Sequence, residues 1–285
     1  MLEIRTSAAM RAWADRARAE GRRIGLVPTM GYLHAGHLSL VAEARRLADR
    51  YVVSIFVNPI QFNAAEDLER YPRDLAGDRE QLGRAAVDVL FMPSADEMYP
   101  PGFQTEVTVS KVTAELCGRT REGHFRGVTT VVAKLFNAVK PHVAIFGEKD
   151  FQQLATIRRM VADLDFGIEI IGAPIVREAD GVAMSSRNVN LSPSERIAAR
   201  CLSRALAAGR DAVAAGTRRA SGVLERVRAV LASEPLARVD YAELVDAETI
   251  EPIGTIDARP ALLALAVFVG RTRLIDNTVL TATSE

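Results

Sequence analysis

Residues 23–49 read RIGLVPTMGYLHAGHLSLVAEARRLAD. The apolar run 23–27 predicts a short strand. Residues 37–49 place Leu40, Ala44 and Leu47 on one stripe and predict a helix. The loop between them, Pro28–His37, holds two glycines and two histidines. His34 and His37 stand three apart, so in a first helical turn they share a face. Gly31 and Gly36 remove side chains where a ligand could approach the backbone. A helix start also offers unpaired N–H groups and the positive end of the helix dipole. Two imidazole donors added there suit a polyphosphate, and can stabilise charge developing on phosphate oxygens.

Working outward, the same strand–loop–helix unit recurs. Strands are predicted at 51–57, 87–92, 143–146 and 168–171, and helices at 73–84, 127–140 and 150–164. This alternation predicts an α/β fold: a Rossmann-like, doubly wound parallel sheet that binds ligands beyond the carboxyl ends of its strands. The character changes near Pro174. Ser192-Pro193 starts a predicted helix at 193–216, another follows at 221–232, and 239–245 and 262–269 read as strands. Two domains are expected: 1–175 Rossmann-like, and 176–285 a smaller C-terminal α+β domain.

Three more polar stretches follow predicted strands or precede the second domain. In Gly147-Glu148-Lys149-Asp150, Lys149 is a compact charge suited to phosphate, Gly147 permits backbone contact, and Asp150 also fits a plain helix cap. In Met184-Ser185-Ser186-Arg187-Asn188, two hydroxyls and a guanidinium can clamp a triphosphate, although alone the stretch reads as a polar surface loop. In Asn58-Pro59-Ile60-Gln61-Phe62, an amide at a strand end can read a hydroxyl or carboxylate, and Asn-Pro also reads as a turn. A doubly wound sheet would gather all of them at one crevice.

Composition narrows the class. The chain has 285 residues with 36 Lys plus Arg against 36 Asp plus Glu, so it lacks the basic surplus that phosphate contacts with nucleic acid demand. Cys117 and Cys201 sit in no metal or redox spacing, and a zinc reading fails because His124 and His142 are the remaining histidines and HExxH is absent. The longest apolar run, residues 261–269, is too short to span a bilayer, and the N-terminus has no apolar core of a signal peptide. A cytoplasmic enzyme without membrane or nucleic-acid partners is expected.

His34-Ala35-Gly36-His37 resembles the HIGH-type motif of the nucleotidyltransferase superfamily, and Met184–Arg187 its KMSKS-like partner. Together PTMGYLHAGH, SIFVNPIQF, GHFRGVTTVVAKLFN, FGEKDFQQ and GVAMSSRN resemble the pantothenate synthetase family. The resemblance implies an AMP-forming acid–amine ligase that condenses pantoate with β-alanine through a pantoyl adenylate, with ATP as substrate, Mg²⁺ as cofactor and a homodimeric assembly. It implies catalytic roles for His34, His37, Lys149, Ser185, Ser186 and Arg187. Nucleotide contacts are implied for Met30, Gly31, Tyr32, Leu33, Ala35, Gly36, Gly147, Glu148, Asp150, Val176 and Met184. Gln61, Gln153, Asn58 and Tyr71 are implied at the pantoate and β-alanine site, and Asp78 at the metal. The alternative is another HIGH-type nucleotidyltransferase, one that leaves AMP on its product.

Overall fold

The computed structural model describes residues 1–62, 68–69 and 71–282. The chain divides into two compact units. One comprises 1–110, 118–148 and 156–174; the other comprises 111–117, 149–155 and 175–285. Two short segments before residue 175 therefore belong with the C-terminal unit, where the sequence predicts a single boundary.

The first unit is a six-stranded sheet in the order β1-β4-β3-β2-β5-β6, formed by β1 Leu2–Ile4, β2 Ile24–Thr29, β3 Arg50–Ile55, β4 Val89–Phe91, β5 Val143–Gly147 and β6 Glu169–Ala173. Every pairing is parallel. Its helices are α1 Ser7–Ala19, α2 Ala35–Leu47, α3 Leu75–Arg84, the short α4 Ala95–Met98 and α5 Cys117–Thr120, α6 His124–Val139 and α7 Phe151–Asp163. Both α5 and α7 straddle the division between the units.

Strand alternation explains the layering. Val27, Val53, Leu90 and Ile145 pack with Leu40, Val41 and Ala44 of α2 and Leu82 of α3. Their neighbours Leu26, Val52, Phe91 and Ala144 point the other way and are just as buried. That second face is closed by α1 and α6, which pack on each other and on β2. From β2 the chain steps outward through β3 to β4, then returns to place β5 on the opposite side of β2. This reversal between β2 and β5 is the switch point at which such sheets bind ligands. Residues 30–37 leave the carboxyl end of β2, and Glu148 leaves that of its neighbour β5.

The second unit holds an antiparallel sheet, β7 Ala237–Asp246, β8 Ala261–Val269 and β9 Thr272–Leu280, with α8 Pro193–Ala214 and α9 Ala220–Ala232. Cys201, Leu206, Val223, Val227, Leu263 and Leu265 form part of its core. A capping box starts α8: the Ser192 N–H donates to Glu195 Oε2 at 2.8 Å and the Glu195 N–H donates back to Ser192 Oγ at 3.3 Å. The strand β9 is an addition to the elements that the sequence pattern predicts.

Candidate functional site

The two histidines begin α2, which starts at Ala35 and carries Ala35 and Gly36 in its first turn. His34 is the N-cap. Its Nδ1 accepts the Gly36 N–H at 3.1 Å, while His37 Nδ1 accepts the His34 N–H at 3.4 Å. The pair forms a capping box built from imidazoles instead of serine and glutamate. The rings lie 4.1 Å apart at 32°. A nitrogen that accepts a backbone N–H carries no proton, so each neutral ring holds its proton on Nε2. Local folding thus makes both rings Nε2–H donors at the positive end of a helix.

The preceding loop is held from below. Asp78 in α3 is 2% exposed; its Oδ2 accepts from Tyr32 N at 2.9 Å and its Oδ1 from Leu33 N at 2.7 Å. Gly31 and Tyr32 both have positive φ, 82° and 52°. A Cβ at Gly31 would stand 3.0 Å from both Asp78 Oδ2 and Ile55 Cγ2, so the left-handed turn and the close approach both require glycine. Thr29 Oγ1 accepts the Gly31 N–H at 3.2 Å and donates to Ser54 O at 2.8 Å.

The family resemblance implies Asp78 at a metal. Its carboxylate accepts from the backbone just before the histidines. Among the described residues no group of three or more His, Cys, Asp or Glu is placed to hold a metal ion.

Burial raises the Asp78 carboxyl above the ordinary aspartate range; the Leu33 and Tyr32 N–H groups oppose the rise and the Asp74 charge adds to it. A raised folded-state value means that the native chain binds this proton more readily than the unfolded chain. Stability from this group is therefore greatest below the ordinary aspartate pKa and falls as pH rises through the interval up to the raised value. Urea unfolding of wild type against Asp78→Asn across that interval should show the wild type losing ground as pH rises, with a constant difference above it.

Gln61 ends a 3₁₀ turn, Pro59–Gln61, beyond β3. Its Nε2 donates to Met30 Sδ at 3.2 Å and its Oε1 accepts from Asn58 Nδ2 at 2.9 Å. Asn58 is 1% exposed. Its Nδ2 also donates to Gly127 O at 3.1 Å and its Oδ1 accepts from the Tyr99 hydroxyl at 2.7 Å. Asn58, expected to read substrate, thus has its amide satisfied by protein groups and acts on Gln61. Tyr71 is buried with its ring edge-on to Phe62 at 5.9 Å.

Helix α6 supports Gln61 in two further ways. His124 Nδ1 bonds to Gln61 O at 2.9 Å. At Gly127 a Cβ would meet Ile60 O at 2.5 Å and Gln61 Cα at 2.7 Å. Those are backbone atoms and cannot rotate away. Alanine gains about 1 kcal/mol of helix propensity, whereas overpacking costs about 1–3 kcal/mol, and contacts this close put Gly127 at the costly end. Gly127→Ala should therefore be about 1–2 kcal/mol less stable, measured as a lower urea midpoint at unchanged slope.

In the C-terminal unit the arrangement centres on Lys149. Glu148, Lys149 and Asp150 form a 3₁₀ turn after Gly147. The Lys149 carbonyl accepts from Asn277 Nδ2 at 2.9 Å, and its Nζ lies 4.0 Å from Asp150 Oδ2. Lys149, Ser185, Val182, Leu274 and Asp276 line one cavity. The Ser185 stretch is shaped by a short antiparallel pairing in which Met184 N donates to Val176 O at 2.9 Å. Arg177 fixes that pairing to β9 through two bonds to Asp276, 2.7 and 2.9 Å, with Asp276 only 2% exposed. Ser185 Oγ accepts the Arg187 N–H at 3.3 Å and caps the 3₁₀ turn Ser186–Asn190. Lys149 and Ser185 are thereby brought to one cavity wall by β9, whose Asp276 and Asn277 the sequence reading does not select. Gln153 lies half-buried in the first turn of α7. The adjacent Gln152 is buried, and bonds to Cys117 N, Val112 O and Glu115 O at 3.0, 3.0 and 2.6 Å.

This geometry places donors for anionic oxygens at a helix start, a fixed amide against Met30 of the loop before it, and a lysine beside a serine loop. The profile of the family described as Pantoate-beta-alanine ligase matches residues 3–279. The chain belongs to the pantoate–β-alanine ligase family. A pantothenate synthetase of Syntrophobacter fumaroxidans is 58% identical over 277 residues, covering 97% of this chain and 98% of the relative. One from Heliobacterium modesticaldum is 57% identical over 270 residues, covering 95% and 96%. The crystal structure of pantothenate synthetase from Thermus thermophilus superposes with a TM-score of 0.91 at 47% identity, covering 98% of this chain and 99% of that one. A pantoate–β-alanine ligase from Francisella tularensis, complexed with beta-gamma ATP and beta-alanine, gives 0.81 at 31%, covering 98% and 97%. Members of this ligase family are enzymes of pantothenate biosynthesis, and the two-unit α/β architecture described above is theirs. Among the described residues no helix is long and apolar enough to cross a membrane.

Proposed function

We propose that this chain condenses pantoate with β-alanine at the expense of ATP through a pantoyl-adenylate intermediate. The observation that carries the reading is the imidazole capping box: His34 and His37 are locked as Nε2–H donors at the start of α2. Family membership supports it, as does the Francisella relative crystallised with beta-gamma ATP and beta-alanine.

In the first half-reaction a carboxylate oxygen of pantoate attacks the α-phosphorus, and the bond to the β-phosphate bridge breaks, releasing pyrophosphate. Negative charge grows on the phosphate oxygens. The family resemblance assigns its stabilisation to the Nε2–H groups of His34 and His37, the ammonium of Lys149, and Ser185, Ser186 and Arg187. The second outward N–H of Gln61 binds a pantoate oxygen, joined by Gln153 and Tyr71. In the second half-reaction the β-alanine amine attacks the acyl carbon, the acyl–phosphate bond breaks, and AMP leaves. The carboxylate is a poor acyl donor until AMP makes it a mixed anhydride. Keeping that anhydride in one site protects it from water and supplies proximity.

Magnesium enters this reading as a companion of the triphosphate, since Mg²⁺ commonly keeps its waters and binds through substrate phosphates. The family resemblance adds a cytoplasmic homodimer. A HIGH-type transferase that leaves AMP on its product is the contrasting reading, and the amide placed at Gln61 favours an acid substrate instead.

The test is product analysis with ATP, Mg²⁺ and pantoate, with and without β-alanine. Pantoate alone should release about one equivalent of pyrophosphate per site and little free AMP. Adding β-alanine should give steady AMP and pyrophosphate in equal amounts. ADP formation would exclude adenylate chemistry. AMP retained on the product despite β-alanine would favour the contrasting reading.

A further inference from the structure

We infer that Tyr99 is a positioning residue that, through Asn58, holds the Gln61 amide with its nitrogen toward the pantoate subsite. This rests on the function proposed above.

Asn58 Oδ1 can only accept, so the Tyr99 hydroxyl at 2.7 Å must donate to it. Burial holds that phenol above its ordinary range, which keeps the proton in place. With Oδ1 pinned, Asn58 Nδ2 turns toward Gln61 Oε1 and Gly127 O, both acceptors. A reversed Asn58 would set its oxygen against the Gly127 carbonyl, which can only accept, so that carbonyl fixes the direction of the amide and the Tyr99 hydroxyl holds its other end. Gln61 is therefore read as well: its oxygen faces inward and its nitrogen outward, one N–H on Met30 Sδ at 3.2 Å and a second left for a ligand. A reversed Gln61 would offer a carbonyl to the pantoate carboxylate and repel it.

Tyr99 contributes this through one atom. Its ring packs against Phe56 at 6.1 Å and Phe103 at 5.1 Å, contacts that phenylalanine would keep. Tyr99→Phe therefore removes the hydroxyl alone and leaves a buried amide oxygen without its donor, which loosens Asn58 and with it the Gln61 amide.

The experiment is steady-state kinetics on wild type, Tyr99→Phe, Gln61→Ala and the double variant, varying pantoate and ATP separately. Tyr99→Phe should raise the KM for pantoate about tenfold, the usual cost of one unmade buried hydrogen bond, with the KM for ATP within about twofold. Because Tyr99 acts through Gln61, adding Tyr99→Phe to Gln61→Ala should change the pantoate KM by less than about twofold. An unmoved pantoate KM, a parallel rise in both KM values, or full additivity in the double variant would overturn the inference and leave the proposed function standing. Pyrophosphate release by wild type that ignores pantoate would overturn both together.

Discussion

Replacing His37 with alanine should lower kcat by about 10²–10³, the usual loss for one donor aimed at charge that forms in the transition state. Under the proposed function the residue has two jobs, which different measurements separate. Its Nδ1 helps cap α2 by accepting the His34 N–H. Losing a cap costs about 1 kcal/mol of stability, too little to unfold a chain of this size and too little to account for a thousandfold fall in turnover. Urea denaturation of the same preparation keeps the two apart. Glutamine can offer both an acceptor and a donor, so His37→Gln should recover part of the lost rate while alanine does not. A near-normal kcat in His37→Ala would remove the residue from its assigned chemistry.

Lys149→Met should reduce kcat/KM for ATP by about 10²–10³ while leaving the KM for pantoate nearly unchanged. Methionine keeps the length and apolar stem and deletes only the charge. A hydrogen bond to a charged group contributes about 1.5–3 kcal/mol, and the effect grows where the phosphate charge increases during attack. The backbone of Lys149 is fastened by Asn277, so the variant should leave the turn in place. Lys149→Arg should recover part of the loss, because the charge returns on a bulkier, planar group. Equal losses for ATP and pantoate would show a collapsed site instead of a missing cation.

What is legible in the sequence follows periodicity. The strands β2, β3 and β5 and helices α2, α6 and α7 announce themselves because apolar residues recur at strand or helix spacing on buried faces. The strand β9 is hidden because TRLIDNTVL places Arg273, Asp276 and Asn277 where apolar residues would normally mark a strand. Asp276 lies in the interior because Arg177, far away in sequence, neutralises it. Helix α1 is hidden for a different reason: its buried side is Met10, Ala14 and Ala17, too small to stand out. The short strings carrying His34, His37 and Lys149 can be read because a loop between a strand and a helix start has a local meaning. Asn58 and Gln152 cannot. One looks like a ligand reader and the other like a neighbour of one, yet each completes a hydrogen-bond set whose members come from separate parts of the chain.

The inward nitrogens of the paired imidazoles have a consequence for proton traffic. A ring whose one lone pair already receives a main-chain hydrogen can give hydrogen bonds but has no vacancy for an incoming proton. Neither His34 nor His37 can then serve as a Brønsted base while α2 keeps its start. The opening attack of the proposed reaction needs none, because a carboxylate arrives already ionised. In the proposed route the amine that follows sheds its proton to some other acceptor, and the oxygens of a departing AMP stand chemically ready to receive it.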